Sequence, residues 1–322
     1  MQKKHDILYL LIKGDHAMLY FIINPSSSSG NGLKIWGKCD AILKQKNVEY
    51  RPFFLHGPND AGKIAKEISG LTPCTVVIVG GDGTINEFLT GLDSFEGITF
   101  ACLPTGSAND FVRGMDLAGK TEALLERILD SSHVRMIDIG TASSESAQRS
   151  FAVSSGMGFD AAVCYASQEA SGTFKRLLNR LHLGKLIYLL NALRMLFSMK
   201  LFDMEVHIDE GETLAYSRVC FAAAMNTRFE GGGFMFAPQA DPSDGCLDLI
   251  IAENIPKWKI LMILPTAFSG KHLRYRGIHL IRCKSAELSS RNDQCVHTDG
   301  EHLGFCRKVR FSIRDEKLRM IS

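Results

Sequence analysis

The stretch Thr75-Val76-Val77-Ile78-Val79-Gly80-Gly81-Asp82-Gly83-Thr84-Ile85-Asn86-Glu87 decides the fold. Its first five residues form a β-branched apolar run of the kind found in a strand buried on both faces. Glycines at 80, 81 and 83 let the chain turn sharply and keep Cβ atoms clear of a bulky anion. Thr84 or Asn86 then opens a helix through Glu87, Phe88 and Leu89, whose N-terminus offers unpaired N–H groups and partial positive charge. The pattern predicts a strand, a phosphate seat and a helix. Asp82 is the odd member, because a carboxylate repels phosphate unless a metal ion or a proton transfer intervenes. It points to Mg²⁺-dependent phosphoryl transfer. Alone, the stretch reads equally well as a tight turn with an exposed Asp.

Two further loops weigh against the plain turn. Asn24-Pro25-Ser26-Ser27-Ser28-Ser29-Gly30-Asn31-Gly32 follows the strand Leu19–Ile23, and Leu103-Pro104-Thr105-Gly106-Ser107-Ala108-Asn109-Asp110-Phe111 follows the strand Ile98–Cys102. In an open parallel sheet such loops gather at the carboxyl ends of the strands, where ligands bind. Neither the P-loop pattern nor the G-x-G-x-x-G dinucleotide pattern is present.

Together these three loops resemble the diacylglycerol kinase catalytic family, and most closely its soluble bacterial lipid kinases and their sphingosine and ceramide kinase relatives. Asp244-Gly245-Cys246-Leu247-Asp248 and Thr298-Asp299-Gly300-Glu301 extend the likeness to roughly residues 18 to 320. Gly-Gly-Asp-Gly-Thr alone is shared with NAD kinases and 6-phosphofructokinases. The resemblance implies an α/β N-terminal domain, doubly wound and NAD-kinase- or phosphofructokinase-like, followed by a C-terminal antiparallel β-sandwich domain.

Composition agrees with a globular enzyme. The chain has 322 residues, 45% of them hydrophobic, and a formal charge of +2, too small to suggest a nucleic-acid partner. No apolar run approaches the roughly 18 residues of a membrane span. Nine scattered cysteines, never in C-x-x-C spacing, read as reduced thiols of a cytosolic protein.

Read in order, residues 1–17 are an extension. Their apolar run Ile7–Ile12 is too short for a signal core. From Met18 to about Ile139, β and α segments alternate, as in a doubly wound nucleotide-binding domain. After Asp138-Ile139-Gly140 short strands follow at Arg149–Ser155, Leu201–Ile208, Ser217–Met225, Gly245–Ala252, Gly277–Cys283, Ala286–Ser289 and Lys308–Ile313. Helical stretches interrupt them at about Phe174 to Phe197 and Lys257 to Phe268. Residues 140–305 thus read as a β-rich domain, which the resemblance implies receives the lipid substrate. The resemblance implies that 306–322 return to the first domain.

Phosphoryl transfer needs a phosphate cradle, a cation and a group that orients the attacking hydroxyl. The cradle is expected from Asn24, Ser26, Ser27, Ser28, Gly80, Gly81, Gly83, Thr84, Ile85, Asn86, Glu87, Thr105 and Gly106, holding ATP. Asp82 and Asp110 are the candidates for Mg²⁺, although Asp110 reads equally as the cap of a short helix. Asp138 is a weaker candidate for the same cluster. Asp-Gly-Glu is by itself an ordinary turn, but the resemblance implies that Glu301 is the catalytic base. It also implies a second, structural cation site held by Asp241, Asp244 and the Cys246 carbonyl. His297 and His302 flank the Glu301 turn and carry no assignment.

Two stretches of the second half lack carboxylates. Lys175, Arg176, Arg180, Lys185, Arg194 and Lys200 lie in one. Lys257, Lys259, Lys271, Arg274, Arg276, Arg282 and Lys284, with Trp258 and Tyr275, lie in the other. Such a face suits docking on an anionic membrane, each basic residue near the surface contributing about 1 kcal/mol. A solvated helical face is the plain alternative. Phe229–Pro238, with Gly231-Gly232-Gly233, matches a region that the resemblance implies lies near the interdomain cleft, as a lip for the lipid; a simple Gly-rich loop is the plain alternative. The expected enzyme is a cytosolic, peripherally membrane-associated kinase of a lipid alcohol, diacylglycerol first; the alternatives are a soluble-substrate kinase of the NAD kinase type and a non-catalytic nucleotide-binding regulator. Dimerisation is common among the enzymes it resembles, and nothing in this sequence decides it.

Overall fold

A computed structural model describes residues 18–117, 119–131, 133–169 and 194–322. The decisive stretch forms β3 (Cys74–Gly80), every residue of which is buried. Around it β1 (Met18–Ile23), β2 (Tyr50–Phe54), β4 (Ile98–Pro104), β5 (Val134–Ile137) and β15 (Leu318–Ile321) complete a six-stranded sheet of order β2-β1-β3-β4-β15-β5. All neighbours are parallel except β5, which runs antiparallel to β15.

Strand side chains alternate between two faces, and both faces are covered. Tyr20, Ile22, Val76 and Ile78 pack with Ala61, Ala65 and Ile68 of α2 (Asp60–Ser69) and with Ile85, Phe88 and Leu89 of α3 (Asp82–Gly91). Phe21, Ile23, Val77 and Val79 pack on the other side with Trp36, Cys39 and Leu43 of α1 (Asn31–Gln45). Leu124, Leu125 and Ile128 of α5 (Thr121–Asp130) complete that layer. The short α4 (Asp110–Gly114) follows β4. Covering helices explain the unbroken apolar runs of these strands.

The chain crosses into an antiparallel β-sandwich domain of nine strands, ordered β12-β11-β10-β8-β13-β14-β6-β7 with β9 against β10 and β13. These are β6 (Gly140–Ser143), β7 (Gln148–Phe151), β8 (Ser154–Gly158), β9 (Phe202–Ile208), β10 (Thr213–Met225), β11 (Leu247–Glu253), β12 (Ile278–Cys283), β13 (Ser285–Thr298) and β14 (Glu301–Ile313). Phe151, Met157, Val206, Leu249, Leu288, Val296 and Phe311 are among its core residues. Helix α6 (Phe159–Glu169) follows β8, and α7 (Lys257–Ile263) follows β11.

Three details differ from the sequence reading. Arg149–Ser155 is split between β7 and β8. The separate strands expected at 286–289 and 308–313 belong to one long hairpin, β13–β14, with irregular register between Ser289 and Gln294. Residues 306–313 stay in the second sheet as part of β14, and Leu318–Ile321 alone enter the first. The helix expected from about Phe174 lies largely outside the described residues.

Candidate active site

The three loops at the carboxyl ends of β1, β3 and β4 are stitched to one another. Asn24 N–H donates to the Val79 carbonyl at 2.9 Å and Thr105 N–H to the Gly80 carbonyl at 2.9 Å. The Asn24 amide donates to Thr84 Oγ1 at 3.0 Å, and the Ser27 and Thr105 hydroxyls lie 2.5 Å apart. Ser28 and Ser107 meet at 3.2 Å. Ser28 and Ser29 take positive φ, 42° and 61°, so the serine run is bent outward, with Ser26 and Ser28 exposed. A Cβ on Gly81 would lie 3.0 Å from Gly106 Cα, so the second and third loops touch through bare backbone. The N-terminus of α3 has no side-chain cap, which leaves its first N–H groups for an anion.

Asp82 does not project freely. Its Oδ2 accepts the Asp110 N–H at 3.0 Å and its Oδ1 the Phe111 N–H at 3.2 Å. It therefore caps α4, a helix distant in sequence. Burial, then the neighbouring Asp110 carboxylate, push its pKa up to about 6. Asp110 does not cap its own helix. Its Oδ2 accepts the Gly232 N–H at 2.7 Å from the second domain, while its Oδ1 is buried without a partner among the described residues. Burial raises the Asp110 pKa. An unpaired buried carboxylate oxygen beside a second carboxylate fits a hard divalent cation, so Asp110, with Asp82 behind it, is where Mg²⁺ would be held.

Glu301 opens β14 after the turn Asp299-Gly300 and reaches the phosphate loop. A Cβ on Gly83 would lie 2.6 Å from Glu301 Oε1. Asp299 anchors the turn. Its Oδ1 accepts the Val153 and Ser154 N–H groups at 2.8 and 3.0 Å, and its Oδ2 accepts from Ala152 N–H at 2.9 Å and from the Asn86 amide at 3.0 Å. Burial, the largest influence, raises the Asp299 pKa. The chain before β8 thus clamps the turn that carries Glu301.

Other expected residues are directed elsewhere. Ile85 is a core residue. The Asn86 side chain, fully buried, donates to Ser150 O at 2.8 Å as well as to Asp299, and its Oδ1 accepts from the Arg149 guanidinium at 2.6 Å. Asn86 is a strut between domains, with no free polar atom for a phosphate. Glu87 lies on α3, partly buried.

Asp241, Asp244 and Cys246 do not fit a bound cation. Asp241 Oδ1 accepts the Ser243 N–H and hydroxyl at 3.0 and 2.6 Å, and Asp244 Oδ1 accepts the Cys246 N–H at 2.9 Å. The other Asp244 oxygen is paired with Arg282 at 2.5 Å. The Lys317 ammonium donates to the Ser243 carbonyl at 2.7 Å and pairs with buried Asp138 at 2.9 Å. Arg282 thus neutralises Asp244, and Lys317 neutralises Asp138 beside the same turn. Asp138 belongs to this turn, its Oδ2 accepting the Gly245 N–H at 2.7 Å, and not to the Asp82 cluster.

The sequence reading missed a cluster beside the Glu301 turn. His297 Nε2 faces Asp160 Oδ2 at 3.1 Å and Glu230 Oε1 at 3.2 Å, and His297 Nδ1 accepts the Gly300 N–H at 3.1 Å. Burial disfavours a second proton on this ring and the two carboxylates favour it, the balance lying well above the usual imidazole range. A proton taken up on Nδ1 would displace the Gly300 N–H that this nitrogen accepts. Residues 160 and 297 are 137 positions apart, and no local pattern signals them.

Two family profiles together span nearly the whole described chain. The diacylglycerol kinase catalytic domain matches residues 18–142, and the YegS C-terminal NAD kinase beta sandwich-like domain matches residues 154–322. The chain belongs to the diacylglycerol kinase catalytic family. It is 30% identical over 293 residues to the Bacillus subtilis protein named "Putative lipid kinase YtlR", covering 88% of this chain and 93% of the relative. A diacylglycerol kinase structure from Bacillus anthracis str. Sterne superposes with TM-score 0.68 at 19% identity, covering 96% and 98% of the two chains. An Archaeoglobus fulgidus NAD kinase in complex with ATP does so with TM-score 0.52 at 13% identity, covering 95% and 94%. This kinase therefore has the α/β plus β-sandwich architecture implied by its loops. No described helix is long and apolar enough to cross a membrane.

Proposed function

We propose that this lipid-kinase family member transfers the γ-phosphate of ATP to the hydroxyl of a lipid alcohol, with Mg²⁺. The reading rests on one observation: Glu301, carried by the second domain, stands against Gly83 of the phosphate loop. Asn24, the serine run, Gly80, Gly81, Gly83, Thr84, Thr105 and Gly106 hold the phosphates through backbone N–H groups and hydroxyls. Asp110, backed by Asp82, holds Mg²⁺, which when bound neutralises charge on the phosphates. Glu301 orients the acceptor hydroxyl and takes its proton as the bond to phosphorus forms. The family to which the chain belongs makes diacylglycerol the first acceptor to test.

The acceptor is met at a membrane surface. Trp258, Met262 and Phe268 are 61%, 67% and 54% exposed, and Lys259, Lys271 and Arg274 share this part of the chain. Phe268 stacks on Phe234, 4.2 Å between centroids, so the patch continues into the Phe229–Pro238 segment. Lys257 is engaged elsewhere, donating to the carbonyls of Phe197 and Met199 at 2.9 and 2.5 Å. The basic residues expected between 175 and 185 lie outside the described residues.

The test is transfer of labelled γ-phosphate into an organic-extractable product from anionic vesicles carrying a panel of lipid alcohols, alongside Glu301→Gln and Asp82→Asn. Label in a lipid band, lost in both variants, supports the reading. Label only in a water-soluble acceptor moves the assignment towards the NAD kinases, and nucleotide binding without transfer to any acceptor makes the protein a regulator.

A further inference from the structure

Arg149 of β7 lies partly buried in the seam between the domains, and among the described residues no carboxylate pairs with it. An arginine drawn out of water usually meets a carboxylate. This one directs two donors, Nε at 3.2 Å and a terminal nitrogen at 2.6 Å, at a single amide oxygen, Asn86 Oδ1. The far end of that amide is thereby fixed. With its oxygen held by the guanidinium, the Asn86 nitrogen faces Ser150 O at 2.8 Å and Asp299 Oδ2 at 3.0 Å. Turned over, the amide would set N–H against guanidinium and oxygen against both acceptors, and every contact would be lost.

A hydrogen bond accepted from a cation strengthens the bonds that the same group donates. The positive charge of Arg149 is therefore felt, through Asn86, at Asp299. The other partners of Asp299 are the N–H groups of Ala152, Val153 and Ser154. Asn86 alone, among the described residues, ties it to the nucleotide-binding domain.

Glu301 meets the same turn of α3. A Cβ on Gly83 would lie 2.6 Å from Glu301 Oε1, and Asn86, three residues on, shares that helix face. The hairpin turn thus grips the start of the phosphate-binding helix at two points, the base at Gly83 and its anchor at Asn86. Arg149 bonds to neither the glycines nor Glu301, yet its guanidinium sets the sense of the amide at the second point.

We propose that Arg149 is a positioning residue for the transfer: through Asn86 and Asp299 it aims the Glu301 carboxylate at the phosphate loop and couples nucleotide seating to the readiness of the base. This deepens the lipid-kinase reading and rests on it for the role of Glu301. Arg149 itself moves no proton and touches no reacting atom.

The experiment begins with steady-state transfer from ATP to the lipid alcohol that the wild type labels in anionic vesicles. Arg149→Met keeps the apolar stem and removes the donors. Its kcat should fall by about ten- to a hundredfold, the scale of a misplaced reacting group, with KM for ATP nearly unchanged. Arg149→Lys, which keeps the charge and one donor, should recover most of that loss. A variant with a lowered melting temperature but the wild-type kcat overturns the proposal, because Arg149 would then serve stability alone.

Asn86→Asp gives Arg149 a carboxylate partner but sets that carboxylate against Asp299, where an N–H stood. The charged and titratable groups about the pair are Asp82, which feels the charge of Asp299, His297 and Glu301 of the hairpin, and Arg149. One proton shared between the two carboxylates restores a donor, so kcat relative to the wild type should climb as pH falls from about 8 to 6. A ratio that does not change with pH refutes the linkage.

Hydrogen exchange separates this proposal from the kinase reading. A saturating non-hydrolysable ATP analogue should slow exchange at Gly300 and Glu301 in the wild type and fail to do so in Arg149→Met. That difference supports the linkage even if no lipid is phosphorylated. No slowing in the wild type, or equal slowing in both proteins, overturns it while leaving any lipid labelling in place.

Discussion

Asp82 and Asp110 form a relay of acceptors: Asp82 receives the Asp110 N–H at 3.0 Å, and the Asp110 carboxylate receives the Gly232 N–H at 2.7 Å. One carboxylate fixes the third phosphate loop and the next fixes the second domain onto it. Because burial and Asp110 lift the Asp82 pKa to about 6, protonation below that pH weakens the cap on α4. Nucleotide affinity should fall as pH drops through about 6. Asp110→Asn removes a like charge and should move the Asp82 midpoint to lower pH, read by carboxyl carbon NMR. A midpoint that stays put would show that burial alone sets it.

Gly83→Ala is expected to separate catalysis from stability. Position 83 is helical, so alanine is favoured by local propensity, but its Cβ would lie 2.6 Å from Glu301 Oε1. Displacing a reacting group by about 1 Å costs on the order of a hundredfold in rate. The expected result is a sharp loss of kcat at an unchanged or raised melting temperature. Unimpaired turnover would detach Glu301 from the chemistry.

Asn86→Ala should loosen the seam between domains. It leaves the buried Asp299 carboxylate and the Arg149 guanidinium each one partner short, at a cost of about 1–3 kcal/mol. Hydrogen exchange should rise at residues 150–154 and 299–301 ahead of the first sheet. Uniform exchange throughout would argue against a strut.

Lys317→Met tests the internal cation. The wild type should keep its melting temperature in EDTA. The variant leaves buried Asp138 without its ammonium partner and should lose about 1–3 kcal/mol, less than a fully buried pair because Lys317 is partly exposed. Millimolar Mg²⁺ or Ca²⁺ should restore part of this loss in the variant only. A wild type destabilised by EDTA would return the metal to this turn.

Trp258 provides its own reporter. The chain has two tryptophans, and Trp36 is buried. Anionic vesicles should shift the emission to the blue, and salt should weaken the effect by screening the lysines and arginines. Neutral and anionic vesicles giving the same spectrum would count against docking through this face.

The first sheet was legible because buried parallel strands are continuous apolar runs and their loops carry glycine and hydroxyls in characteristic order. The second domain was legible as β-rich but not strand by strand. The middle of β13, Ser290-Arg291-Asn292-Asp293-Gln294, is mostly exposed and polar, so it reads as a loop although it bridges two halves of one strand. The gathering of the loops was legible where it depends on backbone, as in the close approach of Gly81 and Gly106. Roles were not legible where a side chain answers a distant one. Asn86 sits inside a loop motif yet serves the other domain. Lys317 is an unremarkable tail residue until Asp138 and Ser243 meet it.

The last strand, β15, has a consequence for how the molecule is made. It lies between β4 and β5, and among the described residues β5 has no other strand neighbour. Leu318, Met320 and Ile321 supply part of the core on both faces of that sheet. During synthesis the first sheet therefore keeps an open edge beside β4 until the chain has passed through the sandwich and turned back. Assembly order runs against gene order: the sheet translated first is the one closed last.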